Sequence, residues 1–156
     1  MPADTEAELP RDLDRLAARI RRCTRCGLHA SRTRAVPGQG PPRARLVLVG
    51  EAPGRSEDKA GRPFCGAAGT VLDEALARAG IRRDRVFVTN AVKCRPPGNR
   101  RPKGTELAAC RPYLLAQLAT VRPRAIVALG QTALRDLLGP GASLRRLRGR
   151  WPAFGG

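Results

Sequence analysis

Residues 46–69 read LVLVGEAPGRSEDKAGRPFCGAAG, and they constrain the fold more than any other stretch of the chain. Leu46, Val47, Leu48 and Val49 form an unbroken apolar run, the pattern of a parallel strand covered on both faces. Gly50 and Gly54 bracket Glu51-Ala52-Pro53, so the backbone can turn sharply there and a ligand can approach it closely. A loop with carboxylates and one phenylalanine, Phe64, leads to a helix start near Ala67. Ligand sites in open α/β sheets lie beyond the carboxyl ends of the strands, which puts Glu51 where chemistry is usually done. A plain strand-to-loop turn with solvated charges produces the same spacing.

Further elements follow the same alternation. Ala67 to Ala79 reads as a helix with Val71, Leu72, Ala75, Leu76 and Ala79 on its inner face and Gly80 as its stop. Arg85 to Asn90 reads as a second strand, with Asn90 at the same sheet edge as Glu51 if the strands are parallel. RPPGNRRPKG, residues 95–104, reads as a basic loop without secondary structure. A helix capped by Thr105 runs to about Val121, Arg124 to Leu129 forms a third strand, and Gly130 opens the helix QTALRDLL. Strand–helix alternation of this kind predicts a three-layer α/β/α sandwich with a parallel central sheet. At 156 residues the chain fits a single domain, 1–156, able to bury a core without disulfides. Residues 1–8 read as disordered. A helix from near Pro10 carries the stripe Leu9, Leu13, Leu16 and Ile20.

There are five cysteines: Cys23, Cys26, Cys65, Cys94 and Cys110. No apolar run is long enough to span a bilayer, and the acidic, polar N-terminus MPADTEAELPRD is not a secretory signal. A cytoplasmic location is the default expectation. In that compartment the cysteines point to metal binding or catalysis rather than disulfides. Cys23-x-x-Cys26 is half a metal site, and Cys94 with Cys110 supplies a second pair. Four thiolates can hold either a tetrahedral zinc or an iron–sulfur cluster, and the spacing does not separate the two. Cys110 also fits a buried helical face with Leu107, Leu114, Leu118 and Val121. His29, the single histidine, reads either as a ligand in C-x-x-C-x-x-H or as an exposed loop residue.

The net charge of +17 favours polyanionic partners, nucleic acid first. An arginine-rich, lysine-poor composition from a GC-rich genome would also raise it.

Taken together, GEAPGRSEDKAGRPFCGAAG, VTNAVKCRPPGNRRP, the paired cysteines and IVALGQTALRDLLG resemble the family 4 uracil-DNA glycosylases, from about Cys23 to Gly149. The resemblance implies an α/β/α sandwich with a [4Fe-4S] cluster that removes uracil from DNA by hydrolysing its N-glycosidic bond. On that likeness Cys23, Cys26, Cys94 and Cys110 match the cluster ligands; zinc is the alternative. Phe64 matches the residue that stacks on the flipped uracil and Asn90 the one that pairs with its edge. Glu51 matches the acid of the catalytic loop, with Asp58 a second choice. Gly50 and Ala52 belong to the same substrate-binding motif. Arg95, Arg100, Arg101 and Lys103 lie in the loop expected to hold phosphates. The implied partner is uracil-containing DNA, single- or double-stranded, bound by a monomer with no membrane association.

The chain departs from the family pattern in three places. A histidine-bearing motif that follows the family's last strand has no counterpart before Gly156, so either the chain is a fragment or its excision is impaired, and a missing final strand is expected; uracil excision is the leading function and iron–sulfur DNA or uracil binding without cleavage the alternative. Cys65 stands where a small aliphatic is usual, and Gly54 stands where another glycosylase family places a thymine-excluding tyrosine. A covalent uracil-binding relative uses a histidine between the positions of Lys93 and Cys110; this chain has none there.

Overall fold

A computed structural model describes residues 12–155, so the expected disorder of residues 1–8 and the helix start near Pro10 lie outside the described residues. Helix α1 (Leu13–Arg21) begins at Asp12, whose Oδ1 accepts the Arg15 amide at 2.9 Å and satisfies one of the helix's orphan donors. Its stripe buries Leu16 and Ile20 as expected.

Three parallel strands make the sheet, in the order β2-β1-β3. They are β1 (Leu46–Gly50), β2 (Val86–Asn90) and β3 (Ala125–Ala128). In register, Leu46 pairs with Val86 and with Ala125, and Gly50 pairs with Asn90. Alternate residues face opposite layers. Val47, Val49 and Phe87 pack on Leu114, Leu118 and Val121 of α4 (Gly104–Val121) and on Ala133 and Leu137 of α5 (Gln131–Leu138). Leu48, Val86 and Val88 pack on Leu72 and Leu76 of α3 (Ala67–Arg78). The α/β sandwich read from the sequence is therefore what forms. A third cluster joins α1 to α4 through Leu16, Ile20 and Tyr113, and includes Cys94 and Cys110.

Four local expectations need correction. The stretch after Gly54 is a short helix, α2 (Arg55–Ala60), not a loop. Its sequence, RSEDKA, has no apolar stripe to betray it; the Glu57 carboxylate caps its start and Gly61, at φ 70°, ends it. On α3 only Leu72 and Leu76 of the expected inner face are buried, and Val71 is 66 % exposed, because the buried stripe Gly69, Leu72 and Leu76 runs at i, i+3 and i+7 and leaves Val71 to its side. Thr105 does not cap α4: the Lys103 amide donates to Glu106 Oε2 at 2.8 Å, so the carboxylate reaches back to the helix start. Within the basic loop, Pro97–Asn99 forms a short 3₁₀ turn, and the tail contains a further turn of helix, α6 (Leu144–Leu147). No described helix is long and apolar enough to cross a membrane.

Candidate functional site

The carboxyl ends of β1 and β2 lie side by side, and their last residues, Gly50 and Asn90, are paired in register. A methyl group built on Gly50 would sit 2.4 Å from Asn90 Oδ1 and 2.6 Å from the Phe64 ring at Cζ. The absent side chain is thus what lets an aromatic ring and an amide converge on one point. With Glu51, Ala52, Asn99 and Arg100 they line a hollow of about 410 Å³. A larger hollow, about 630 Å³, lies beside β3, but aliphatic side chains, Trp151 and Phe154 dominate its walls. The smaller one holds the converging polar groups that mark a binding site.

Asn90 is 2 % exposed, and its Oδ1 has no hydrogen-bond partner among the described residues. A buried amide oxygen without a partner is costly and calls for a ligand group to complete it. The backbone of Asn90 is held from below. Lys93, fully buried, donates from Nζ to the Asn90 carbonyl at 2.6 Å, to Thr89 Oγ1 at 2.8 Å and to Gln117 Oε1 at 2.7 Å. All three ammonium protons are satisfied, although burial pushes the Lys93 pKa down to about 8. Gln117 Nε2 and Thr89 Oγ1 in turn bond the Pro37 carbonyl, at 2.6 and 2.9 Å.

Phe64 sits at φ 49°, a left-handed conformation that a side chain rarely adopts without support. Glu57 supplies part of that support. Its Oε1 accepts the amides of Cys65 and Gly66 at 3.0 and 2.9 Å, while Oε2 accepts that of Gly54 at 3.1 Å. One carboxylate thus ties the Glu51 turn to the Phe64 loop. Arg83 reaches across to donate to the carbonyls of Pro63 and Phe64, at 3.1 and 3.3 Å. Gly69 leaves room for that loop, since a Cβ there would lie 2.0 Å from the Phe64 carbonyl oxygen.

Glu51 projects from the turn after β1 with its side chain 39 % exposed. Its Oε2 accepts the hydroxyl of Thr132, in the first turn of α5, and faces Arg101 Nε at 3.8 Å. Asp58, the second choice for the acid, is a correction. It is buried and accepts the amides of Thr33 and Arg34 at 2.8 and 3.3 Å, where it fastens the segment before β1 and lines none of the hollow.

The basic loop is less free than its composition suggested. Arg100 forms a two-pronged pair with the buried Glu106, at 2.9 and 2.7 Å, and together with the Lys103 amide it holds that carboxyl down to about 2. Arg95 Nε donates to Asn99 Oδ1 at 2.6 Å. Arg101 and Lys103 are exposed.

Four of the five cysteines, Cys23, Cys26, Cys94 and Cys110, line one small pocket; Cys65 is exposed elsewhere. N–H donors surround the sulfurs: Arg32 Nη1 lies 3.1 Å from Cys94 Sγ, the Lys93 amide 3.3 Å from Cys110 Sγ, and the Arg25 amide 3.4 Å from Cys23 Sγ. Burial pushes the thiols of Cys26 and Cys94 up, and that of Cys110 up to about 12. Among the described residues no group of three or more His, Cys, Asp or Glu side chains is placed to hold a single metal ion. His29 is exposed as expected but does not stand in a loop: it lies in a 3₁₀ turn, Gly27–Ala30, lines the cysteine pocket, and has its Nδ1 2.7 Å from the Cys26 carbonyl.

Sequence reasoning missed Glu57, Lys93, Gln117, Thr132 and Arg83 as organisers of this site. Each acts across a long sequence separation or through backbone groups. The one available signal was a run of charged residues between two glycines.

Residues 37–154 match the model of the uracil DNA glycosylase superfamily. The chain is 53 % identical over 131 residues to the type-4 uracil-DNA glycosylase of Pyrobaculum aerophilum, covering 82 % of this chain and 67 % of that protein. It is 50 % identical over 135 residues to the type-4 uracil-DNA glycosylase of Thermotoga maritima, covering 86 % and 70 %. Against the type-5 uracil-DNA glycosylase of Thermus thermophilus the identity is 40 % over 120 residues, covering 67 % and 54 %. The matches thus span between about half and 70 % of the length of these relatives.

Proposed function

The chain belongs to the uracil DNA glycosylase superfamily, and from that premise we propose that it excises uracil from DNA by hydrolysing the N-glycosidic bond. The observation that carries this reading is the partnerless amide oxygen of Asn90, buried at the back of a hollow beside the Phe64 ring and the Glu51 carboxylate.

A base inside a duplex hides its sugar bond, so the nucleotide must be turned out into the pocket. Phe64 offers a flat face for the extruded base, and stacking of this kind contributes ~1–3 kcal/mol per base. Asn90 Oδ1 accepts from uracil N3–H while its Nδ2 donates to O4. Cytosine presents the opposite pattern, which leaves buried polar groups unpaired and rejects it. Gly50 and Ala52 keep the floor of the pocket free of bulk.

As uracil departs, positive charge develops on the sugar. The Glu51 carboxylate stabilises it and orients the attacking water, as carboxylates do in glycoside hydrolysis. Thr132 and Arg101 both engage Oε2, which leaves Oε1 for that water. Exposed Arg101 and Lys103 hold phosphates, with Arg95 and Arg100 shaping the loop that presents them.

The four-cysteine pocket fits a [4Fe-4S] cluster. Cys23, Cys26, Cys94 and Cys110 put four sulfurs on the wall of one pocket, which His29 also lines, and the N–H groups of Arg32, Lys93 and Arg25 approach three of them. Cys23, Cys26, Cys94 and Cys110 would hold the cluster, which would clip the turn after α1 to the segment after β2 and to α4. Lys93 links the two sites, its amide on Cys110 and its ammonium on the Asn90 carbonyl.

The test is incubation with a uracil-containing oligonucleotide followed by alkali. Strand cleavage at uracil that Glu51→Gln abolishes is the expected result; binding without cleavage would overturn the proposed activity. Iron and sulfide analysis with absorbance near 400 nm separates a cluster from zinc.

A further inference from the structure

The sheet carries a second charged feature at the edge opposite the uracil pocket. Each strand is immediately preceded by an arginine: Arg85 before Val86, Arg45 before Leu46 and Arg124 before Ala125. The register that pairs Leu46 with Val86 and with Ala125 sets these three side by side along the amino edge of the sheet. The Arg45 carbonyl accepts the amides of Arg124 and Ala125, at 2.9 and 3.2 Å, which fixes two of the three positions on one platform. Arg45 and Arg124, with Arg43 and Arg122, line a concave surface of about 540 Å³ beside the end of α4. All are exposed, and no carboxylate among the described residues lies within ion-pair distance of any of them.

Like charges on adjacent strands repel one another, and each neighbouring pair in this row repeats that cost. A few arginines elsewhere meet an acid, as in Arg82–Asp84, Arg83–Asp73 and Arg111–Asp136. What distinguishes the amino edge is clustering: three arginines stand in one row, Arg43 and Arg122 line the adjoining concave surface, and no acid lies among them, which makes the patch complementary to a polyanion.

We infer that the row of Arg45, Arg85 and Arg124 is a second phosphodiester-binding surface, which engages DNA away from the nucleotide being excised. The five residues of β1 separate the two edges by roughly 17 Å at ~3.3 Å per residue. That is about five phosphates along one strand of duplex, so a very short oligonucleotide in the uracil pocket does not reach the arginines. A longer DNA, or a second segment of it, reaches both. The surface supplies sequence-independent grip and salt sensitivity, and takes no part in the chemistry.

The experiment compares the triple variant Arg45→Gln/Arg85→Gln/Arg124→Gln with a control of equal charge loss, Arg15→Gln/Arg78→Gln/Arg148→Gln, whose arginines are exposed on α1, at the end of α3 and just after α6. Affinity for a uracil-free 30-base-pair duplex is measured across a salt series. Each phosphate contact contributes about 0.9 to the slope of log affinity against log salt, so the edge variant should lose about 2–3 in slope and the control less than 1. Single-turnover excision from a three-nucleotide oligonucleotide with uracil at its centre should stay within about twofold of the parent. Equal slopes in the two variants, or an unchanged slope in the edge variant, would overturn the inference. So would a loss of excision on the short oligonucleotide, since it would place these arginines in the uracil site. The slope is readable even if the parent protein excises nothing, so failure here is distinct from failure of the proposed activity.

Discussion

The hydroxyl of Thr132 donates to Oε2 of Glu51, joining the first turn of α5 to the turn that follows β1. The two residues are 81 positions apart, and the bond ties up Oε2 while Oε1 has no such tie among the described residues. A hydrogen bond to a charged group contributes about 1.5–3 kcal/mol, of which orientation of a reacting carboxylate can draw a large part.

Thr132→Val keeps the shape and removes the donor. It should lower the single-turnover excision rate by about ten- to a hundredfold with little change in KM, and Thr132→Ser should restore most of the rate. A Thr132→Val enzyme as fast as the parent would show that Glu51 needs no such orientation.

Gly50→Ala tests the convergence of Phe64 and Asn90. The backbone at Gly50 is ordinary strand, so alanine is conformationally permitted, but its methyl would meet the amide at 2.4 Å and the ring at 2.6 Å. Uracil excision should fall by more than about a hundredfold, while overpacking costs only about 1–3 kcal/mol of stability. Retained excision would mean that the hollow is not where uracil is read.

Asn90→Asp changes the acceptor–donor pair that faces the pocket. Uracil excision should be lost, and excision of cytosine is the activity to look for. Unchanged uracil excision would remove Asn90 from base recognition.

Glu57→Ala removes the acceptor of three backbone amides from two loops. The expected loss is about 2–3 kcal/mol, or roughly 5–10 °C in Tm for a domain of this size. Affinity for a uracil-containing duplex should fall more than affinity for an unmodified one, because the Phe64 loop loses its anchor. Equal losses would make Glu57 a matter of stability alone.

The Arg100–Glu106 pair sets an acid limit. Glu106 has its pKa depressed to about 2 by Arg100 and the Lys103 amide, against an ordinary value of 4.5. A depressed carboxyl stabilises the fold fully above its unfolded pKa, and that stabilisation drains away as pH falls from about 4.5 towards 2. Urea melts between pH 5 and pH 2 should therefore steepen for the parent and flatten for Glu106→Gln. Parallel curves would show that the pair contributes nothing to acid stability.

Much of this molecule was legible in one dimension because its signals are local. The run Leu46–Val49, the turn Gly50–Gly54, the helix QTALRDLL and the Leu16 and Ile20 part of the stripe on α1 each follow from local patterns over a few residues, and each forms where expected. The errors share a cause. Helix α2 lacks an apolar face and is held by backbone contacts to Glu57, and Val71 is exposed because it lies beside the stripe that α3 buries. Asp58 and Glu57 are neighbours of similar chemistry, and the pattern gave no means to tell a loop fastener from a loop organiser, or either from an acid at the site.

What the sequence determined by itself was the α/β alternation, the cysteine set and the residue types at the strand tips. Spacing, hydropathy and chemical class are properties that residues carry wherever they stand. Only the tertiary structure decided that Gly50 brings Phe64 and Asn90 together, that Thr132 engages Glu51, and that Lys93 runs between the thiol pocket and the hollow at the strand ends. Those relations join residues far apart along the chain. They exist because parallel strands in one register place distant turns on the same edge, and no local pattern encodes that register.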